Sequence, residues 1–139
     1  MVKAIPKKYV SVEQANRLLP EIHKIVWEMV QINNSLSTLT SVDVEFEEDY
    51  EELCYDVQFN KKFHELSSEF YNYYEQLLEM GAIATDVEMG LVDFFCKHRD
   101  REILLCWQLG EKSIQFWHDV DKGFKSRKHI DELEKVKVE

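Results

Sequence analysis

The hydrophobic period of this chain changes between Gly81 and Gly90, and that change limits the fold more than any single motif does. Upstream, Ala15, Leu18, Ile22, Ile25, Met29, Ile32, Leu36 and Leu39 recur at spacings of three and four, with Leu19, Val26 and Val30 widening the stripe. Downstream, from Leu91, apolar residues recur at every second position. The first pattern demands a helix with one buried face, the second a half-buried strand. A chain that carries both, one after the other, is expected to fold as an α+β domain, with a long antiparallel helix pair packed on one face of a three-stranded antiparallel meander.

The helix boundaries are marked by local chemistry. Ser11 with Gln14 reads as a capping box, and Val10 with Ala15 as a hydrophobic staple. The first helix is expected over residues 12–39, kinked near Pro20 and fraying in the Ser/Thr-rich Ser35–Ser41 stretch. The second is expected over residues 44–80, with Gly81 as its C-cap. Its apolar residues fall into two sets. Phe46, Tyr50, Leu53 and Val57 share one phase; Phe59, Phe63, Leu66, Phe70, Tyr73 and Leu77 share another, two residues away. One helix with a stutter near Gln58–Asn60 and two helices meeting there both fit. Strands are expected at Leu91–Lys97, Glu102–Leu109 and Ser113–Val120, joined by turns at His98–Arg101 and Gly110–Ser113. Phe124–Ile130 reads as irregular. Residues 1–130 then form a single domain, and 131–139 a polar tail or a frayed helix.

The net charge of −10 is concentrated in one segment: residues 41–80 hold twelve acidic side chains against two basic ones. A generic nucleic-acid binder needs a basic face, so that function is disfavoured. Asp43–Glu52 carries seven carboxylates in ten positions. It reads first as a solvated helix start opposing the macrodipole, and second as a patch that attracts metal or mimics nucleic acid. The three cysteines, Cys54, Cys96 and Cys106, show no C-x-x-C spacing, which excludes a zinc ribbon or a thioredoxin-like motif. Their odd number, the lack of a signal-like start and the lack of a membrane-length apolar run give a cytoplasmic expectation.

Strand register decides which polar residues meet. With Glu111-Lys112 as a two-residue loop, Trp107 pairs with Phe116, Leu105 with His118 and Ile103 with Val120. His118 then sits on the apolar face that covers the helices, and Trp117 on the outer face with Leu104 and Cys106. Side chains alternate, so His118 and Asp119 point to opposite faces. The first hairpin has two registers. One sets Asp93 beside Cys106 on the outer face, near Trp117; the other sets it on the inner face, within reach of His118. His118 itself reads as a satisfied core histidine, a metal ligand or a general base. Cys96 and Cys106 read as small buried apolar groups.

Several stretches of the second half resemble the signature of the domain of unknown function 2203 family, small prokaryotic proteins without an established activity. They are Gly90-Leu91-Val92-Asp93-Phe94, Leu105-Cys106-Trp107, Leu109-Gly110-Glu111 and Phe116-Trp117-His118-Asp119. Ala15-Asn16 with Leu18-Leu19-Pro20 resembles the start of that family's first helix. The resemblance puts the family's polar signature on Asp86, Asp93, Arg101, Glu111, His118, Asp119 and Arg127. Two positions depart from the family pattern: Phe95 stands for Pro and Asp100 for Gly.

Two function classes follow. The first is a protein- or small-ligand-binding module that self-associates as a homodimer, since the outer sheet face with Leu104, Cys106 and Trp117 needs a cover. Its expected ligand contacts are Arg101, Trp117 and Arg127, with Trp117 as a partner anchor. The second is a metal-dependent or acid/base enzyme with a carboxylate–histidine site at the meander. Its catalytic candidates are Asp93, His118 and Arg101. A divalent metal would draw on Asp93, His118, Asp119 and Asp121. Asp93, Arg101 and His118 are expected to converge, with Asp119, Asp121 and Arg127 at the rim. No nucleophile elbow, P-loop or paired-His motif names a reaction.

Overall fold

A computed structural model describes residues 4–133. Helix α1 spans Val12–Thr40 and α2 spans Asp49–Met80. The capping box forms as its sequence demands: Ser11 Oγ accepts from the Gln14 amide, and Gln14 Oε1 accepts from the Ser11 amide. The helix runs on through Pro20. Gly81 closes α2 with φ of 90°, a left-handed cap that a side chain would strain. No helix among the described residues is long and apolar enough to cross a membrane.

Helix α2 is continuous, and its two apolar phases turn out to be two faces. Phe59, Phe63, Leu66, Phe70 and Tyr73 are half-buried, and Leu77 is fully buried. Tyr50, Leu53 and Val57 lie on the other side of the helix, at 72%, 57% and 60% exposure. The helix begins at Asp49, five residues later than the expected start at 44. Phe46 lies in the preceding loop, its ring 5.1 Å from that of Tyr55.

The sheet is an antiparallel meander in the order β1-β2-β3-β4-β5, with five strands in place of the expected three. They are β1 (Ala82–Asp86), β2 (Leu91–His98), β3 (Arg101–Gln108), β4 (Phe116–Asp119) and β5 (Lys128–His129). The extra pair are edge strands of five and two residues, too short to show a period. A 3-10 turn covers Phe124–Ser126, and a second covers Ile130–Leu133, bringing Leu133 into the core. The packed core therefore extends past residue 130; the rest of the expected tail lies outside the described residues.

The first hairpin has the two-residue loop Arg99-Asp100. Both residues take positive φ, 53° and 64°, as a type I′ turn requires. The turn thus survives the absence of glycine at position 100, and β2 and β3 pair as Asp93 with Cys106 and Phe95 with Leu104.

The register of the second hairpin differs by one residue from expectation. Leu105 pairs with Trp117, Leu104 with His118 and Cys106 with Phe116. The connection is longer than a two-residue loop, spanning residues 109–115. Within it Ile114 turns into the core, and its amide donates to Asn16 Oδ1 of α1 at 2.7 Å. The slip exchanges the faces of β4. Trp117 joins Ile103, Leu105 and Trp107 against the helices, and His118 moves to the outer face. The larger apolar ring takes the core position, as burial energetics favour. The expected outer-face position of Trp117, and with it the surface anchor, is therefore corrected: the ring is 1% exposed.

Candidate metal centre

Three adjacent strands build a polar group into the outer sheet face. Asp93 of β2 stands opposite Cys106 of β3, and His118 of β4 stands opposite Leu104, next to Cys106 on the same face. All three side chains are buried, and their ligand atoms lie within 4.8 Å of one another. His118 Nε2 is 3.3 Å from each Asp93 carboxylate oxygen.

The imidazole is held from behind. His118 Nδ1 lies 2.9 Å from the Asp119 carbonyl oxygen. A carbonyl only accepts, so Nδ1 donates to it and Nε2 is the ring nitrogen that faces Asp93. A ring nitrogen and a carboxylate at this separation need a proton or a cation between them. Burial, the largest influence, pushes the Asp93 carboxyl above the usual carboxylate range, against the pull of His118, Cys106 and Arg127. Burial also pushes the Cys106 thiol up to about 12, helped by the Asp93 charge and their mutual hydrogen bond. A thiol so protonated is no free nucleophile; a metal would have to draw the thiolate out.

A second ion pair borders this group. Arg127 Nη2 donates to Glu111 Oε2 at 2.5 Å, and Glu111 Oε1 accepts from the Gln108 amide at 2.7 Å. The guanidinium lies 3.8 Å from the Phe116 ring centroid and 4.7 Å from that of Phe124. Its side chain is 10% exposed, and Nη1 is buried without a hydrogen-bond partner among the described residues.

The expected convergence of Asp93 with His118 is present, although the carboxylate reaches the imidazole on the outer face and not the inner one. Arg101 lies elsewhere. It shares the core face with Trp117 and pairs with Asp119 at the sheet end, its guanidinium 5.5 Å from the Trp117 ring. Asp119 also lies within 3.9 Å of Lys128 Nζ. Asp121 is exposed in the turn after β4, outside the cluster. Of the expected polar signature, Asp93, Glu111, His118 and Arg127 come to one side, while Asp86 caps the β1–β2 turn through the Met89 amide. Cys106 joins Asp93 and His118 in this cluster although the sequence marks it only as a small buried group; its one signal is the register that places it beside Asp93. An apolar cavity of about 580 Å³ lies apart from this group, between residues 4–8 and Leu78, Gly81, Ile83 and Phe95.

The model of a family described as uncharacterized conserved protein (DUF2203) matches residues 8–130. No curated protein and no solved structure matches the chain. The match spans most of the sequence, and the chain belongs to that family.

Proposed function

We propose that this family member binds a thiophilic divalent cation, with zinc the best fit, through Asp93, Cys106 and His118, and acts at that ion. The observation that carries the reading is the pair of 3.3 Å separations between His118 Nε2 and the Asp93 oxygens. Zinc–nitrogen and zinc–oxygen bonds of about 2.0–2.1 Å at a tetrahedral angle put their donors roughly 3.3 Å apart. The Nδ1–H bond to the Asp119 carbonyl is the orienting contact that metal-bound histidines have. One sulfur, one imidazole and one carboxylate favour zinc over magnesium or calcium, and the two anions balance its charge. Three protein ligands leave a tetrahedral position for a small ligand, as in catalytic sites. Metal-stripped, reduced protein is expected to take up one zinc per chain. Cys106→Ala and His118→Ala should each weaken uptake by at least ~100-fold. A chain that takes up no zinc, or variants that bind it equally well, would sink the reading.

We also propose that the chain self-associates, through the helical hairpin and not the sheet. Tyr50, Leu53 and Val57 support this: they form an exposed apolar stripe on the side of α2 away from its half-buried one. Leu53→Glu with Val57→Glu should halve the mass measured by light scattering at micromolar concentration. A wild-type chain already monomeric there would contradict it.

A further inference from the structure

We infer that the ligand of this centre is a small oxyanion, bridged between the metal's open position and Arg127. The inference rests on the metal reading above. Arg127 immediately precedes β5, whose Lys128 pairs with Trp117, so position 127 falls beside His118 on the outer face. Its guanidinium stacks on Phe116, the residue paired with Cys106. Arg127 thus lies beside His118 and packs on the residue across from Cys106, and its charge acts on both Asp93 and Cys106.

The decisive feature is the half-used guanidinium. Nη2 is committed to Glu111, while Nη1 is buried and has no acceptor among the described residues. A guanidinium only donates, and a buried donor left unpaired is costly. Glu111 cannot supply the missing acceptor readily, because its other oxygen is fixed by the Gln108 amide. The metal's remaining position needs an oxygen, nitrogen or sulfur donor, and Nη1 needs an acceptor, that the described residues do not supply. A carboxylate or phosphate meets both demands with two oxygens on one centre. The rings of Phe116 and Phe124 against the guanidinium favour a ligand of few atoms.

The test uses the full chain loaded with cobalt(II), whose thiolate-to-metal absorption reports Cys106 ligation and whose visible bands report the remaining ligand. Inorganic phosphate and acetate are titrated in turn. A saturating change in the visible bands with at least one of them is expected. Arg127→Lys keeps a cation for Glu111 but loses the fork. It should keep the thiolate absorption and weaken the anion response roughly 10- to 100-fold. Arg101→Gln, on the other sheet face, should leave the response unchanged. If the thiolate absorption appears but neither anion changes the spectrum, or Arg127→Lys responds with wild-type affinity, the inference fails and the metal reading stands. If the thiolate absorption never appears, both fail. Loss of that absorption in Arg127→Lys alone would assign Arg127 to holding the ligands in place, and would overturn its role as an anion contact.

Discussion

Trp117→Ala is expected to cost about 3–5 kcal/mol of folding stability, the range for removing a buried tryptophan or phenylalanine. Phe116→Ala, one residue away, should cost only about 1–2 kcal/mol, since that ring is half-buried, with Arg127 and His129 against it. The contrast is set by register. Trp117 packs at 1% exposure among Ile103, Leu105 and Trp107, whereas Phe116 faces out beside Cys106. Urea unfolding with a shared m-value measures both. The reverse order of costs would mean that β4 pairs one residue along, with Phe116 inward.

In the metal-free protein, stability is expected to fall as pH rises above the ordinary aspartate range, and zinc should reverse that slope. Asp93 drives the first half. Its carboxyl is raised in the folded state, chiefly by burial. The folded chain therefore holds a proton that the unfolded chain has released. The stabilisation is complete below the unfolded pKa, near 4, and is lost as pH climbs through the raised folded value. Asp93→Asn should flatten this part of the profile. Zinc instead needs the Asp93 carboxylate and the Cys106 thiolate, so each proton displaced makes its apparent affinity rise about tenfold per pH unit. Thermal melts from pH 5 to 8, with zinc and with a chelator, compare the two slopes. Parallel slopes in both conditions would show that zinc does not displace these protons.

Local signals were legible because each is complete within a few residues. The capping box at Ser11, the left-handed cap at Gly81 and the turn at Arg99-Asp100 all stand where the sequence places them. The β4 register was not legible. It depends on Ile114 entering the core and bonding Asn16, 98 positions earlier in the chain. No turn rule contains that contact. A one-residue slip moved His118 and Trp117 together, which is why the pairing of Asp93 with His118 survived while its face did not. Cys106 was passed over for a related reason. A buried cysteine in an apolar strand looks like filler until the neighbouring strands show which polar groups flank it. In α2, the two-residue phase change was visible, but whether it bent the helix or turned a second face outward depended on how far α1 could cover it.

The burial along the helical hairpin also separates two mechanical regimes. In α1 the buried residues run from Ala15 to Ile32, and in α2 Leu77 alone is fully buried. Backbone hydrogen bonds near the sheet can break only with the core, but those towards the 41–48 turn are guarded by half-buried rings alone. Opening there costs a local, not a global, free energy. The domain thus anchors Asp93, Cys106 and His118 at a stiff end, while the far end of the hairpin can yield to a partner without disturbing them.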